Sequence, residues 1–212
     1  MLNVQGLNCF YTESEKEVAA VTDLSFQLGQ NETLGLIGES GSGKSTVAWA
    51  LLGMLEHLGG HAHGHFSWDG IDYDLHRPET WAHLRWREIA IVPQAAMNSF
   101  NPVYTIGHSL TEVLACHLPL VSAKEREDRA KAMLGRVELD PQLYYSYPHQ
   151  LSGGMKQRAA LAKALNCEPK VLILDEATTG LDVITEGNIL RTVAALKKEM
   201  DMSLIIITHD LR

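Results

Sequence analysis

A glycine-rich stretch, GESGSGKS at positions 38–45, is the feature that most limits how this 212-residue chain can fold. Its spacing, a glycine followed after four residues by Gly-Lys-Ser, is that of the Walker A loop. An apolar run at 34–37 precedes it and a second apolar segment at 46–52 follows it, so the pattern predicts a strand, a loop and a helix in that order. A glycine-rich turn before an ordinary helix would explain the glycines but not the full spacing in this context.

The residue types in this loop fit the chemistry of bound phosphate. Glycine lets successive backbone N–H groups turn inward and approach phosphate oxygens with no Cβ in the way, at the positive end of a helix dipole. Lys44 is expected to reach the β- and γ-phosphates of a nucleotide, and the Ser45 hydroxyl is expected to bind Mg²⁺. The loop therefore predicts a P-loop nucleotide-binding α/β fold.

An acidic motif, VLILDE at 171–176, follows later in the chain. Its four apolar residues in a row are typical of a parallel strand buried on both faces. Asp175 then stands at the carboxyl end of the strand, where open α/β sheets bind ligands, and is expected to hold Mg²⁺ through its hydration shell. Glu176 is the natural general base for the water that attacks the γ-phosphate. The pair could instead begin a loop and cap a helix, but that alternative makes no use of the phosphate loop.

Between these two motifs stands LSGGMKQR at 151–158. Ser152 is a good helix N-cap, and Gly153 and Gly154 leave N–H groups exposed at the positive end of the helix that follows. With a phosphate loop before it and an acidic strand end after it, the chain resembles the nucleotide-binding subunits of ABC transporters. In that family two such subunits pack head to tail, and the Ser-Gly-Gly helix start of one closes over the γ-phosphate held by the other. A merely capped helix would explain the serine and glycines but not their place in this order.

Single residues extend the resemblance. Gln94 matches the Q-loop glutamine, which contacts Mg²⁺ or the attacking water, and His209 matches the switch histidine that contacts the γ-phosphate. Asp182 matches the D-loop, which crosses to the partner's site. Tyr11 resembles the aromatic that stacks on adenine, with Phe10 as the competing candidate on the opposite face of the same strand.

The resemblance therefore implies a complete set of site residues with ATP and Mg²⁺ as cofactors. The catalytic residues are Glu176, His209 and Gln94. The ATP-binding residues are Tyr11, Gly38, Glu39, Ser40, Gly41, Ser42, Gly43, Lys44, Ser45 and Thr46. The residues that act on the partner's ATP are Ser152, Gly153, Gly154 and Asp182, and the Mg²⁺ residues are Ser45, Gln94 and Asp175.

The expected fold class is an α/β P-loop NTPase of the ABC ATPase type, with a central mainly parallel sheet, an antiparallel β layer and a helical subdomain. Two segments with partial alternation, 4–11 and 18–28, predict an antiparallel pair joined by a polar connection at 12–17. The helical subdomain is expected at about 105–148, inside a core of about 1–104 and 149–212. Because members of the family continue beyond the switch histidine, part of the domain is expected to lie after residue 212.

Composition limits the choice of partners. The formal net charge of −8 is a poor electrostatic match to nucleic acid, so no nucleic-acid partner is expected. No apolar run approaches the length of a membrane span. If the protein works at a membrane, it must dock onto another subunit, and we expect it at the cytoplasmic face as a peripheral protein.

The segment after Gln94 indicates the branch of the family. PQAAMNSFNP at 93–102, with YPHQ at 147–150, is similar to the ATPases of oligopeptide, dipeptide and nickel importers. The resemblance implies as partners a second ABC ATPase subunit, in a homodimer or a heterodimer, transmembrane permease subunits and, indirectly, an extracytoplasmic solute-binding protein. A peptide solute is favoured over nickel.

Two other classes of function remain as alternatives. A soluble ABC ATPase acting on DNA or ribosomes usually inserts long coiled coils or duplicates the module, and these residues do neither. A P-loop kinase has no reason to carry LSGG. The alternating histidines at 61, 63 and 65 could bind Ni²⁺ or Zn²⁺. They are expected instead to lie in a solvated connection, because no cysteine or paired carboxylate nearby completes a site.

Overall fold

The computed structural model describes residues 1–13, 16–94 and 96–209 and divides into two compact units. The first unit contains residues 1–85 and the last strand, and the second contains residues 86–202. The strands are β1 (Leu2–Glu13), β2 (Lys16–Leu28), β3 (Thr33–Ile37), β4 (Gly60–Trp68), β5 (Ile71–Asp74), β6 (Ile89–Val92), β7 (Val171–Asp175) and β8 (Ser203–Thr208). The α-helices are α1 (Lys44–Leu51), α2 (Ile106–His117), α3 (Ala123–Arg136), α4 (Gly153–Leu165) and α5 (Val183–Glu199).

An antiparallel sheet in the order β2-β1-β4-β5 forms one layer of the first unit. The predicted antiparallel pairing of the first two strands is confirmed, with Leu2 opposite Leu28 and Tyr11 opposite Val18. In the same unit β3 pairs with β8 in parallel, and this register places Ile37 opposite Thr208. The carboxyl ends of β3 and β8, which lead into the phosphate loop and into His209, therefore lie side by side.

A bulge at Gly6 keeps one face of β1 buried along its length. Leu2 and Val4 alternate into the core, and after the bulge Leu7 and Cys9 do the same, each at 1% exposure or less. Strict alternation from Leu2 would have turned Leu7 and Cys9 to solvent. Gly6 has a φ of 57°, a left-handed conformation that glycine adopts at little cost, and its N–H donates to Ser25 Oγ.

Two expectations about this layer are wrong. The polar segment 12–17 is not wholly a connection, because Thr12 pairs with Glu17 and Glu13 with Lys16. The histidine stretch is not an exposed connection either, since it forms the first half of β4 and pairs with β1. Ala62, Phe66 and Trp68 point into the core, so the histidines occupy the alternate, polar positions of the strand. The buried positions among the histidines are small, and the strand period was therefore hard to recognise in the sequence.

The second unit combines a parallel strand pair with helices. Strands β6 and β7 pair in parallel and every residue of both is buried, which confirms the prediction for the apolar run of β7. Ser122 caps α3 by accepting a hydrogen bond from the Glu125 N–H at 3.2 Å. One face of α3 is apolar, because Ala130, Met133 and Leu134 are buried, as is Val137 beyond the helix end.

No helix within the described ranges is long and apolar enough to cross a lipid bilayer. The predicted boundaries of a helical subdomain at about 105 and 148 stay a prediction.

Two glycines of the second unit provide a test of the packing between α2 and the 3-10 helix Pro141–Tyr145. A Cβ at Gly107 would lie 2.5 Å from the ring of Tyr144, whereas a Cβ at Gly135 in α3 would meet only Pro141 at 4.0 Å. We expect Gly107→Ala to lower the free energy of unfolding by about 1–3 kcal/mol through overpacking. The matched change Gly135→Ala should raise it by about 0.5–1 kcal/mol through helix propensity. Urea denaturation of both variants measures the difference, and equal stabilities would contradict the described contact.

Candidate functional site

The phosphate loop joins β3 to α1 in the first unit, as its sequence predicted. Gly41 and Gly43 have φ values of 81° and 85°. A Cβ at Gly43 would lie 2.3 Å from the carbonyl oxygen of Ala20 on β2, so the loop backbone approaches that strand too closely for any side chain. A Cβ at Gly38 would lie 2.9 Å from Ser42 Oγ. At Gly43, glycine is therefore required by both backbone conformation and space.

Lys44 curls back over the loop that precedes it. Its ammonium donates to the carbonyl oxygen of Glu39 at 2.6 Å and to Ser42 Oγ at 3.2 Å. Gly43 is the N-cap of α1 and supplies no side-chain cap, so no side chain at the cap position competes for the N–H groups of the first helical turn. A cation and the positive end of a helix thus lie at one place, which is the arrangement that attracts a polyanion.

The two aromatic candidates at the end of β1 have different neighbours. The Tyr11 hydroxyl lies 3.3 Å from Thr46 Oγ1 in α1, within hydrogen-bond distance, and Thr46 is buried. The Phe10 ring instead stacks on His61, with ring centroids 5.3 Å apart. Tyr11 is therefore the aromatic beside the phosphate loop, which agrees with the preference for it, although its role against adenine stays a prediction.

His209 follows β8, opposite the start of the phosphate loop. The side chain of His209 is exposed. His209, the phosphate loop and Tyr11 all lie in the first unit. The remaining predicted residues, which are Gln94, Asp175, Glu176, Ser152, Gly153, Gly154 and Asp182, lie in the second unit.

In the second unit the acidic motif ends the buried strand β7. Asp175 is 1% exposed, so its carboxylate is held at the strand end in a nearly closed environment. Glu176 follows with a φ of 46°, an uncommon left-handed conformation for a glutamate that turns its side chain away from the strand direction. The Gln94 amide donates to Glu176 Oε2 at 3.0 Å. The predicted base and the predicted Q-loop glutamine therefore meet directly.

The Ser-Gly-Gly segment begins α4 as predicted. Ser152 Oγ accepts a hydrogen bond from the Met155 N–H at 3.3 Å, and Ser152 and Gly153 are exposed. A Cβ at Gly154 would lie 2.9 Å from Thr185 Cγ2 in the first turn of α5. The starts of α4 and α5 are therefore in contact within one unit.

Asp182 organises the start of α5. Its carboxylate accepts from the Thr185 hydroxyl at 2.6 Å and from the Thr185 N–H at 3.0 Å. These hydrogen bonds favour the ionised form, and they hold the pKa of the Asp182 carboxyl below its usual range. Sequence reasoning missed Thr185, although the Asp-x-x-Thr spacing of an N-cap and its third helical residue was available as a signal.

A profile of the ABC transporter family matches residues 21–179, which include the phosphate loop, the Ser-Gly-Gly segment and the acidic strand end. The chain belongs to the ABC transporter family. The predicted family and the predicted ABC ATPase fold are confirmed, with parallel strand pairs, an antiparallel layer and helices.

Similar proteins cover the whole chain. The glutathione import ATP-binding proteins GsiA of Shigella dysenteriae serotype 1 (strain Sd197) and Escherichia coli O157:H7 are each 42% identical over 219 aligned residues. The match covers 100% of this chain and 35% of those proteins, so the chain spans about a third of the length of these curated relatives.

Two solved structures share the fold. The ATP-binding cassette MJ0796, in a dimeric post-hydrolysis state bound to ADP and Pi, has a TM-score of 0.84 at 26% identity and covers 100% of this chain and 89% of its own. CbiO1 from Clostridium perfringens, part of the ABC transporter complex cbiONQ, has a TM-score of 0.77 at 28% identity and covers 99% of this chain and 78% of its own.

The residues present fit a nucleotide and a hard cation. The positive-φ glycines Gly41 and Gly43 and the Lys44 ammonium lie at the positive end of α1, which suits phosphate oxygens. The predicted Mg²⁺ residues, Ser45, Gln94 and Asp175, carry oxygen donors, which Mg²⁺ prefers, and only one of them is a carboxylate. Within the described ranges no group of three or more His, Cys, Asp or Glu side chains is arranged to hold a metal ion.

The hydrogen bonds to Asp182 predict a pH effect. A folded-state pKa below the unfolded value means that the bonds contribute stability above the unfolded pKa, near about 4 for aspartate, and that this contribution is lost as pH falls through the folded pKa. NMR titration of the Asp182 carboxyl should give a midpoint below the usual aspartate value. Thr185→Val should raise the midpoint because the hydroxyl donor is lost, whereas Thr185→Ser should keep it low. An unchanged midpoint in Thr185→Val would contradict the described bond.

Proposed function

We propose that this chain is the ATP-binding and ATP-hydrolysing part of a subunit that powers an ABC importer for di- or oligopeptides. The observation that carries the importer assignment is the 42% identity, over the whole chain, to proteins named for the import of glutathione, a small peptide. The geometry of the phosphate loop supports the ATPase assignment independently. The peptide assignment agrees with the similarity of residues 93–102 to the peptide and nickel branch.

We assign the binding of the triphosphate to the loop Gly38–Thr46. Its backbone N–H groups and the start of α1 provide the positive end that phosphate oxygens require. Lys44 already lies over the loop, and exchanging the Glu39 carbonyl and Ser42 hydroxyl for phosphate oxygens would replace neutral acceptors by charged ones. Tyr11, held beside Thr46, would contact adenine.

Ser45, Asp175 and Gln94 are assigned to Mg²⁺. The ion, when bound, would neutralise charge on the β- and γ-phosphates. The 1% exposure of Asp175 supports the assignment, because a carboxylate shielded from water attracts a cation more strongly than an exposed one does. His209 is assigned to the γ-phosphate, on the basis of its place after β8.

Glu176 is assigned as the general base for water. Its left-handed backbone separates its direction from that of Asp175, and the Gln94 amide orients one of its oxygens at 3.0 Å. If Gln94 turned from Glu176 towards Mg²⁺ or water, Glu176 would lose this hydrogen bond and its carboxylate could reorient. The Gln94 contact therefore supports a link between movement of the Q-loop and hydrolysis.

The exposed starts of α4 and α5 are assigned to a second ATPase subunit. Ser152, Gly153 and Gly154 would close over the γ-phosphate bound by the partner, with Asp182 beside them. The exposure of Ser152, Gly153 and Asp182 supports this role, as does the dimeric state of the related cassette MJ0796. Beyond this dimer we propose transmembrane permease subunits and, through them, an extracytoplasmic solute-binding protein as partners, with the subunit at the cytoplasmic face of the membrane.

A nickel importer is the second candidate, because residues 93–102 are similar to ATPases of both branches. The deciding experiment measures ATPase activity of the complete protein purified with its membrane partners and solute-binding protein. Stimulation by glutathione or a di- and oligopeptide mixture is expected. Stimulation by Ni²⁺ alone would replace peptide by nickel. If no permease co-purifies and no solute changes the rate, a soluble ABC ATPase is the better description.

Removing the proposed base separates binding from hydrolysis. We expect Glu176→Gln in the complete protein to bind ATP with wild-type affinity and to accumulate as an ATP-bound dimer, because the phosphate contacts remain and the proton acceptor is lost. The rate of phosphate release should fall by about 10²-fold or more. Sedimentation with and without ATP measures the dimer, and Glu56→Gln, on an exposed residue, is the matched control. Undiminished hydrolysis would remove Glu176 from the role of base.

A further inference from the structure

A row of rings crosses the outer face of the antiparallel sheet in the first unit and contains none of the residues assigned to ATP. The Phe10 ring stacks on His61, the ring centroids of His61 and His63 lie 5.1 Å apart, and the His63 ring stacks on His76 with centroids 4.8 Å apart. The row lies on the outer face because Ala62, between the first two histidines, points into the core. His76 belongs to no sequence motif, so the fold alone brings it to the histidines of β4.

Backbone hydrogen bonds place His76 opposite His63. Strands β4 and β5 are antiparallel, and just beyond β5 the Leu75 N–H donates to the Gly64 carbonyl oxygen at 3.0 Å. The pairing therefore continues past the end of β5 and makes His63 and His76 cross-strand neighbours. The His76 N–H donates to Asp74 Oδ1 at 2.9 Å, which holds the backbone of His76 at the end of the strand.

The rings of His63 and His76 are accessible to a ligand. Both residues are exposed, and among the residues that the structure describes neither ring has a hydrogen-bond or ion-pair partner for its nitrogens. His61 differs, because its Nε2 lies 3.4 Å from Glu17 Oε1 and its side chain is only 28% exposed. The two rings with free nitrogens are therefore those of His63 and His76.

The spacing of these two rings suits a shared metal ion. An imidazole nitrogen binds Zn²⁺ at about 2.0–2.1 Å, and the centre of the ring lies about 1 Å farther from the ion. Two imidazoles at roughly 90–110° around one ion therefore have their centres about 4.5–5 Å apart. The observed 4.8 Å lies within that range. The two rings are within 21° of parallel, and rotation about the Cβ–Cγ bond, a torsion with only a broad preference, can turn one nitrogen of each towards the ion.

We propose that His63 and His76 bind one divalent transition-metal ion, such as Zn²⁺ or Ni²⁺, with water completing the coordination. Imidazole suits these ions, and the carboxylates of Glu17, beside His61, and of Asp74, beside the His76 N–H, favour a cation over an anion. A site with two protein ligands agrees with the absence, within the described ranges, of a group of three arranged for a metal. It also predicts an exchangeable ion, since structural sites use four protein ligands.

The ion would join β4 to the chain after β5, so it should stabilise the folded state in proportion to its affinity. This inference does not rest on the proposed function.

The direct test is isothermal titration calorimetry of the 212-residue chain, free of any histidine tag, with ZnCl₂, NiCl₂ and MgCl₂. Saturable binding of Zn²⁺ or Ni²⁺ is expected, with Mg²⁺ weaker by about tenfold or more because Mg²⁺ prefers oxygen ligands. The unfolding temperature should rise with the concentration of the bound ion. If millimolar Zn²⁺ and Ni²⁺ give neither a binding heat nor this rise, or if Mg²⁺ binds equally well, the proposal is wrong.

Two variants locate the ion. His63→Gln and His76→Gln each remove one imidazole and keep a polar side chain. Each should weaken Ni²⁺ binding by about tenfold or more and reduce the rise in unfolding temperature, whereas His108→Gln should leave both unchanged. His108 is the matched control because it is an exposed histidine stacked on an aromatic ring, that of Tyr104, in the second unit. Thermal unfolding without metal checks that each variant folds. Wild-type affinity in either variant would show that the two histidines do not share an ion and would overturn the proposal.

Discussion

The close approach of Gly43 to β2 is the constraint on which the proposed nucleotide site depends. A Cβ at this position would lie 2.3 Å from the Ala20 carbonyl oxygen, so the path of the loop is set by contact between two stretches of backbone. Gly43 is also the N-cap of α1, and the start of α1 carries Lys44 and the hydrogen bond between the Thr46 and Tyr11 hydroxyls. Lys44 and Thr46, which contacts the proposed adenine-binding Tyr11, thus lie in the first helical turn after this glycine.

In the second unit, the residues proposed to act on the partner's nucleotide lie at the starts of α4 and α5. Ser152 and Asp182 each cap a helix with a side-chain oxygen, and Gly154 lets the two starts meet through Thr185. A Cβ at Gly154 would lie 2.9 Å from Thr185 Cγ2, so one of the two side chains would have to shift. The segments that we assign to the partner's nucleotide are therefore in contact with each other. The hydrogen bond between Gln94 and Glu176 similarly joins the proposed base to the Q-loop, so each chemical group has a second residue that fixes its orientation.

Much of this arrangement could be predicted from local sequence signals. The four-residue apolar run before Asp175 predicted a fully buried strand, and the serine before two glycines at the start of a helical segment predicted the cap at Ser152. Each of these patterns depends only on residues close together in the chain, so it can be recognised from a single sequence. The histidine half of β4 was missed because its buried positions, Gly60 and Ala62, are too small to show the strand period. The stacking of His76 on His63 could not be predicted, since it depends on how β4 and β5 pair.

The affinity of the chain for MgATP in two glycine variants tests the central claim most directly. Gly43 and Gly59 both have positive φ values, 85° and 77°, but a Cβ at Gly59 would meet nothing within 4 Å. Both Gly→Ala changes therefore impose similar backbone strain, and only Gly43→Ala adds the clash with β2. If the phosphate loop binds ATP in the described shape, Gly43→Ala should weaken binding by about tenfold or more while Gly59→Ala retains it. Wild-type affinity in Gly43→Ala would contradict the account.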